Sequence, residues 1–257
     1  MKVLITGGGT SENIDKVRTI TNFSTGRLGS IIADIYNKLD SIEEIYYIHG
    51  KLSILPSGNK IKAIQISDVN SLELAIKEIA KNNKIDIIIH TIAVSDYRLK
   101  AVTSSQSIAD FLQNHQQDFI ESIKKGTLKE LIEDALVGSQ IVNNNKIGSN
   151  IENMILVMEQ TQKVISNLRA LFPESIIVGF KLLCNTTQDI LIDTAYRLLQ
   201  ANKCNYVLAN DLENITTDKH IGYLIDSNKN YICYNTKQEI ADGIVQATLN
   251  GLVRKLK

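Results

Sequence analysis

The chain has 257 residues, 44% of them hydrophobic and 22% charged, proportions that are ordinary for a soluble enzyme with a substantial core. Lysine plus arginine equals aspartate plus glutamate at 28 each, so the net charge gives no general attraction for nucleic acid or for an anionic membrane surface. We therefore expect any recognition of an anion to be local, and we expect no nucleic-acid or membrane partner.

Several kinds of special segment are also excluded. No stretch approaches the roughly 20 apolar residues of a membrane span, and the N-terminus lacks the apolar core of a signal peptide. The cysteines Cys184, Cys204 and Cys233 are widely spaced without a CxxC pattern, and the four histidines are scattered. We expect reduced thiols, no structural zinc, no metal site formed by protein ligands alone, and a cytoplasmic location.

Runs rich in Val and Ile predict buried strands at 2–6, 44–49, 62–66, 85–92, 176–180 and 206–209. Helical patterns follow at 29–39, 72–82, 163–171 and 187–201, and a closing amphipathic helix is predicted at 237–252. Continuous apolar runs are typical of a parallel sheet that is covered on both faces. The alternation of strand and helix therefore predicts an α/β fold with a doubly wound, Rossmann-like, mostly parallel sheet.

Two stretches interrupt the alternation. Residues 99–145 are polar and predict a long, lid-like insertion with helical patches. Residues 223–234 predict a small β-hairpin with a polar turn. Because the chain has two prolines and no linker-like composition, we expect a single domain over 1–257.

Two small-residue clusters near the N-terminus indicate phosphate binding. GGGT at 7–10 follows the first strand, and NFSTGR at 22–27 precedes the first helix. Glycines let amides turn towards an anion, hydroxyls and Arg27 add hydrogen bonds, and a helix N-terminus favours phosphate. The first cluster is neither GxGxxG nor a Walker motif, and alone it could be a tight turn. The predicted phosphate-binding residues are Gly8, Gly9, Thr10, Ser24, Thr25, Gly26 and Arg27.

Further polar residues follow predicted strands or lie between the two clusters. Asp96 could be a helix cap, or could hold an amine or a metal. Asn210 and Asp211 together suit a ribose, a base or a metal, although a turn would also explain them. Arg18 and Asn22 lie four residues apart between the clusters, where a surface charge and a helix cap are the simpler explanations.

Together these clusters resemble the phosphopantothenate–cysteine ligase family of coenzyme A biosynthesis. The matching motifs, in chain order, are GGT at 8–10, DKVR at 15–18, NFSTGRLG at 22–29, AVSDY at 93–97, KIGS at 146–149, GF at 179–180 and AND at 209–211. The resemblance covers nearly the whole chain, is weakest across 99–145, and implies the free-standing form of the ligase.

The resemblance implies amide ligation of 4'-phosphopantothenate and L-cysteine through an acyl-nucleotidyl (acyl-CMP) intermediate, with a nucleoside triphosphate as co-substrate and Mg²⁺ as cofactor. It implies catalytic roles for Asn22 and Arg18. The implied nucleotide-binding residues are Gly179, Phe180, Lys181, Asn210, Asp211 and Lys237, and the implied substrate-binding residues are Asp96, Tyr97 and Lys146. It also implies a homodimer, with 223–234 and 99–145 as candidate interface and lid.

Three alternatives stay open. The sequence favours CTP, but Phe180-Lys181-Leu182 is closer to a eukaryotic pattern that goes with ATP. A Rossmann-type NAD(P)-dependent oxidoreductase would need GxGxxG leading directly into a helix and an acidic residue after the second strand, where Tyr47-Ile48-His49 stands instead. A non-catalytic nucleotide-binding module would have no use for Asn22, Asp96 and Lys146 together.

Overall fold

The structure is a computed structural model that describes residues 1–141, 147–148, 150–216 and 219–255. Its strands are β1 (Lys2–Gly7), β2 (Ser11–Asn13), β3 (Thr19–Thr21), β4 (Glu44–Gly50), β5 (Ile61–Ile66), β6 (Ile87–His90), β7 (Tyr97–Ser104), β8 (Met154–Gln160), β9 (Ile176–Leu183), β10 (Tyr206–Asp211), β11 (Gly222–Asp226) and β12 (Tyr231–Tyr234). Its helices are α1 (Arg27–Asn37), α2 (Val69–Asn82), α3 (Ser105–Asn114), α4 (Gln116–Lys125), α5 (Leu128–Gly138), α6 (Val164–Leu171), α7 (Gln188–Ala201) and α8 (Lys237–Lys255).

The main sheet has eight strands in the order β12-β11-β10-β9-β6-β1-β4-β5. All neighbours from β10 to β5 are parallel, whereas β11 and β12 add an antiparallel hairpin at one edge. Numbered along the chain, the six parallel strands follow the 3-2-1-4-5-6 order of Rossmann folds. The predicted doubly wound, mostly parallel sheet is confirmed, and so is the predicted hairpin.

Both faces of this sheet are covered, which explains the continuous apolar runs in its strands. In β1, Leu4 packs into one core together with residues of α2, α6 and α7. Val3 and Ile5 point to the opposite face, where they pack with residues of α1 and α8. Successive residues of the strand therefore pack alternately against the two helical layers.

Strand order reverses between β1 and β6, because the chain continues from β1 outward through β4 and β5, and from β6 outward through β9 and β10. In open α/β sheets the crevice beyond the carboxyl ends of such a strand pair is the usual ligand site. The segment after β1 enters the short hairpin β2–β3 rather than a helix.

Contacts divide the chain into two compact units, the first with residues 1–10, 22–94 and 163–257 and the second with residues 11–21 and 95–162. The second unit holds the hairpin β2–β3, the antiparallel pair β7–β8 and helices α3–α5. The predicted insertion 99–145 falls in this unit, with 142–145 outside the described residues. The single domain and the closure of a lid stay predictions.

The strands β7 and β8 were not predicted. Their ladder shifts register between Leu99 and Ala101, and the first half of β7 is charged and exposed, so it lacks an apolar run. Sequence analysis assigned no element to the segment that forms β8. Within the described part of the chain, no helix is long and apolar enough to cross a membrane.

Candidate functional site

The two glycine-bearing loops meet backbone to backbone at the carboxyl end of β1. Gly8 has φ +80° and Gly26 has φ +69°, the left-handed region that favours glycine. A methyl group on Gly26 would lie 2.8 Å from the amide nitrogen of Gly8. A methyl group on Gly9 would overlap the main-chain oxygen of Asn22. The small residues of the two loops are thus needed for their mutual approach.

A third segment, following β6, joins the same place. The Ala93 amide donates to Gly8 O at 2.8 Å, and the Thr10 amide donates to Ala93 O at 3.1 Å. The Asn22 side chain donates from Nδ2 to Val94 O at 2.8 Å. We call residues 8–10, 22–26 and 91–94 the switch-point loops, because they lie where the strand order reverses.

The N-terminus of α1 forms part of the switch-point loops. Gly26 is its N-cap, and within residues 26–30 no side chain caps the helix and no residue of the first turn is acidic. Gly29 lets the helix approach the sheet, since a methyl group there would lie 3.0 Å from Thr91 Oγ1. The partial positive charge of the helix end therefore remains available to an anion.

The predicted phosphate-binding residues differ in what they present. Ser24 Oγ accepts from the Gly26 amide and Thr25 Oγ1 from the Arg27 amide, both at 3.4 Å, so these hydroxyls lie beside the start of α1. Thr25 and Arg27 are exposed, whereas Thr10 is fully buried and its amide is used to join the loops. Thr10 thus shapes the site.

The segment after β4 also supports these loops, and the sequence analysis missed it. The Ile54 amide donates to Thr25 O at 2.9 Å, and Tyr47 Oη donates to Gly26 O at 3.3 Å. Ser53 packs against Gly8, and a methyl group on Gly50 would overlap Gly9 O. The signal in the sequence was Gly50, which directly follows the predicted strand 44–49.

A second polar cluster lies in the first unit around the end of β10, and consists of Asn210, Asp211, His220 and Lys237. The Asp211 carboxylate accepts the amides of Asn185 (3.1 Å), Thr186 (2.7 Å) and Glu213 (3.0 Å). These main-chain hydrogen bonds, that of Thr186 foremost, hold the pKa of Asp211 below its usual value. Asp211 therefore shapes the loop after β9.

Asn210 and His220 are both buried, with Asn210 Nδ2 3.3 Å from His220 Nε2. Burial, assisted by the charge of Lys237, lowers the pKa of His220 to about 4, so this imidazole is neutral at pH 7. Among the described residues, His220 Nδ1 has no hydrogen-bond partner. Lys237 begins α8, where the helix dipole disfavours a cation. His220 was missed because isolated histidines carry no motif.

Among the residues of β9 that were predicted to bind nucleotide, Gly179 and Phe180 make packing contacts. A methyl group on Gly179 would lie 2.9 Å from Ile165 Cδ1, so close packing alone explains this glycine. Phe180 packs against the core on the α1 and α8 face. Lys181 is half-buried on the same strand.

The remaining predicted residues belong to the second unit and are described within it. Arg18 binds the Asp15 carboxylate through Nε at 3.0 Å and Nη2 at 2.6 Å. Asp96 and Tyr97 are exposed at the start of β7, where the Thr161 amide donates to Asp96 O at 2.9 Å. Lys146 lies outside the described residues.

Among the described residues, no group of three or more His, Cys, Asp or Glu side chains could hold a metal ion.

Comparison with known proteins gives a match to a family model and to curated relatives. Residues 1–123 and 138–252 match the family model described as the DNA/pantothenate metabolism flavoprotein C-terminal domain. The coenzyme A biosynthesis bifunctional protein CoaBC of Methanocaldococcus jannaschii is 27% identical over 247 residues, which are 95% of this chain and 49% of that protein. The chain thus spans about half the length of this relative and of the CoaBC protein of Thermococcus kodakarensis, to which it is 24% identical over 94% of this chain.

Solved structures agree with this match. The DNA/pantothenate metabolism flavoprotein of Streptococcus pneumoniae is 31% identical, with a TM-score of 0.78 over 97% of this chain and 99% of that one. A variant of Cab2 in complex with phosphopantothenate-cysteine is 17% identical, with a TM-score of 0.68 over 100% of this chain and 89% of that one. The second likeness shows a common fold.

Proposed function

Because the chain belongs to the family of the DNA/pantothenate metabolism flavoprotein C-terminal domain, we propose that it is a phosphopantothenate–cysteine ligase of coenzyme A biosynthesis. The carboxylate of 4'-phosphopantothenate attacks the α-phosphorus of a nucleoside triphosphate, which gives an acyl-nucleotidyl anhydride and releases pyrophosphate. The amine of L-cysteine then attacks the acyl carbon and expels the nucleoside monophosphate. The amide product is 4'-phosphopantothenoylcysteine.

One observation carries this proposal, namely the contact of Gly8 with Gly26 and with Ala93 at the ends of β1 and β6. It places an uncapped helix N-terminus and two left-handed glycines at one point of the sheet. Such a site binds phosphate groups through main-chain amides. A reaction between a phosphorylated acid and a nucleoside triphosphate requires this kind of site.

We assign the roles according to where each residue lies relative to the switch-point loops. The switch-point loops bind phosphate groups, and the exposed Arg27 adds a cation at their rim. Asn22 is exposed and fixed through its Nδ2 contact with Val94 O, so it suits a hydrogen bond to the reacting acyl group. The second polar cluster binds the nucleoside. Positioning and charge stabilisation are the main contributions that such transfers require from a protein.

Mg²⁺ is proposed as a cofactor that screens the charge of the triphosphate, bound chiefly by phosphate oxygens and water. CTP is the proposed nucleotide, on sequence grounds alone, and ATP is the alternative that Phe180-Lys181-Leu182 supports.

A homodimer is also proposed, with the hairpin β11–β12 at its interface. β12 is an edge strand of the sheet, and its residues Tyr231 and Ile232 are 46% and 60% exposed. Exposed apolar side chains on an edge strand favour pairing with another chain. Sedimentation at micromolar concentration should give a dimer mass, and a monomer mass would contradict this part of the proposal.

The test is pyrophosphate release by purified protein with 4'-phosphopantothenate, L-cysteine, Mg²⁺ and either CTP or ATP. We expect continuous release with CTP, and at most one equivalent per enzyme when cysteine is omitted, because the anhydride then stays bound. Faster turnover with ATP would reverse the nucleotide assignment. Nucleotide binding without pyrophosphate release would indicate a non-catalytic module and would overturn the proposed function.

A further inference from the structure

His220 lies in the segment that leads into β11, at the edge of the sheet where β10 ends. Its amide donates to Asn235 O at 2.8 Å, and the amide of Ile221 donates to Asn214 O at 3.3 Å. His220 also forms an isolated antiparallel bridge with Ile215. The main chain on both sides of the buried imidazole is thus fixed by hydrogen bonds, so the ring has a defined place in the second polar cluster.

The hydrogen bond between His220 and Asn210 determines which ring nitrogen carries the proton. Asn210 Nδ2 can only donate, so His220 Nε2, which lies 3.3 Å away, accepts through its lone pair. Burial and the charge of Lys237 lower the pKa of His220 to about 4, so the ring is neutral at pH 7. A neutral imidazole has a single N–H proton, which then lies on Nδ1. Nδ1 is therefore a hydrogen-bond donor.

This Nδ1 donor has no acceptor within the part of the chain that the structure describes. His220 is 6% exposed, which leaves the donor little access to water. Nearly all buried polar groups in proteins are paired, because a buried donor without an acceptor loses its hydrogen bonds to water without compensation. His220 lies at the carboxyl edge of the sheet, where α/β proteins bind their ligands. A fixed, unpaired donor at this edge fits an acceptor that a bound molecule supplies.

The position of His220 along the sheet edge indicates which part of a nucleotide it meets. Strands β1, β6, β9 and β10 are successive neighbours, and neighbouring strands are about 4.8 Å apart, so β10 lies about 14 Å from β1. Both strands belong to the first unit. When the phosphate groups occupy the switch-point loops, the other end of an extended nucleotide lies near the end of β10. That end carries the base, whose ring nitrogens and carbonyl oxygens are hydrogen-bond acceptors.

We propose that His220 recognises the base of the bound nucleotide, with its Nδ1–H donating a hydrogen bond to an acceptor atom of that base. This inference rests on the nucleotide binding in the proposed function and deepens it by naming the atom that makes the contact. The base takes the place of side-chain atoms that cover Nδ1. Lys237, which is half-buried and whose charge acts on the ring, has a flexible side chain that is able to move aside.

Two variants separate the roles of the two ring nitrogens, because the amide of glutamine lies where Nε2 lies and that of asparagine lies where Nδ1 lies. His220→Gln keeps an acceptor for Asn210 but has no donor at the Nδ1 position, whereas His220→Asn has the opposite character. Calorimetric titration of the full-length protein with CTP and Mg²⁺ should show about tenfold weaker binding for His220→Gln, because one hydrogen bond is lost. His220→Asn should show a smaller loss. ATP is titrated in parallel.

Inorganic tripolyphosphate distinguishes recognition of the base from recognition of the phosphate groups. It has no base, so wild type and His220→Gln should bind it with equal affinity. The matched control is His115→Gln, since His115 is exposed between α3 and α4 and should leave the affinity for CTP unchanged. If His220→Gln does not fold, nitrogen NMR of the wild type replaces it. CTP should then shift the Nδ1 resonance of His220, and tripolyphosphate should not.

The outcomes separate this inference from the proposed function. Unchanged affinity of His220→Gln for both CTP and ATP, or an Nδ1 resonance that does not respond to CTP, would overturn the role of His220 alone. Equal weakening of CTP and tripolyphosphate binding would also overturn it, since the donor would then serve the phosphate groups. CTP binding that depends on His220 but leads to no pyrophosphate release would overturn the ligase assignment and leave this inference standing. A wild type that binds neither nucleotide would overturn both.

Discussion

The switch-point loops and the second polar cluster both lie in the first unit at carboxyl ends of strands of the same sheet, but they are built differently. The loops meet through main chain, with Gly8, Gly26 and Ala93 in direct contact. The second polar cluster is built mainly from buried side chains, and the Asp211 carboxylate accepts hydrogen bonds from three main-chain amides. In the proposed function, the first arrangement binds phosphate groups through main-chain amides, and the second shapes the loops beside the nucleoside.

The largest expected effect is that of Asn22→Asp, which should lower kcat about 10²–10³-fold, the usual cost of removing one preorganised donor near developing charge. The carboxylate cannot donate to Val94 O, and it adds negative charge beside the switch-point loops. Steady-state pyrophosphate release measures the loss. The free energy of unfolding should change little, because Asn22 is exposed.

Asn70→Asp is the control for Asn22→Asp, since Asn70 is exposed on α2 and should leave kcat unchanged. Near-normal coupling of cysteine by Asn22→Asp would remove Asn22 from the mechanism.

A pair of glycine variants tests whether the main-chain contact itself matters. Gly26 and Gly126 have nearly the same φ, +69° and +73°, so alanine costs each about 1 kcal/mol of strain or slightly more. Only the methyl group on Gly26 would approach another backbone, at Gly8, since Gly126 has open space. We expect Gly26→Ala to lower kcat/KM about 10²-fold, because small displacements of a positioned ligand are that costly.

Gly126→Ala should lose only the cost of the left-handed φ, about 1 kcal/mol in urea unfolding, without losing activity. If both variants keep full activity, the close approach of the two loops is not needed for phosphate binding. The main-chain character that distinguishes the switch-point loops from the second polar cluster would then have no functional meaning.

The third prediction concerns the loss of stability in acid that is caused by two buried histidines, His90 and His220. His90 ends β6, and its Nδ1 lies 3.1 Å from Thr6 Oγ1. Burial lowers the pKa of His90 from 6.5 to about 4. The unfolded chain therefore takes up a proton first as the pH falls, and stability is lost from about pH 6.5 down to pH 4. Between pH 7 and pH 5, His90 alone should cost about 2 kcal/mol of unfolding free energy.

Urea unfolding of wild type and His90→Gln at both pH values measures this difference. The variant should lose about 2 kcal/mol less than the wild type over the interval, because glutamine does not titrate. The pKa of His220 is also lowered, so the variant should keep a residual loss from the second polar cluster. An identical pH dependence in both proteins would show that His90 does not control acid stability.

The sequence was sufficient for the sheet and for the switch-point loops because their signals are local. Val/Ile runs of the parallel strands are buried on both faces, and glycines beside a strand end and a helix start show where main chain must turn. The contacts of Asp15 and the role of His220 could not be predicted in this way. Asp15 meets Ile147 across 132 positions of the chain, and His220 belongs to no motif. Contacts between side chains far apart in sequence depend on the finished fold.

The smallest expected effect belongs to the second polar cluster. Asp211→Asn keeps the shape of the side chain but leaves a single acceptor oxygen. Either the Thr186 amide or the amides of Asn185 and Glu213 then face an NH2 group that cannot accept a hydrogen bond. The nucleotide KM should rise about threefold with kcat nearly unchanged, since this residue positions a loop without touching the reacting atoms.

The matched control is Asp226→Asn, which likewise removes a carboxylate that accepts main-chain amides, those of Asn228 and Asn230 at 2.9 Å, in the turn between β11 and β12. It should leave the nucleotide KM unchanged. Because the pKa of Asp211 is depressed, its bonds persist at neutral pH and weaken only in acid, so the KM difference between wild type and Asp211→Asn should be constant from about pH 6 to pH 8. Equal changes in both variants would assign Asp211 to general stability and leave nucleotide binding to the main-chain loops.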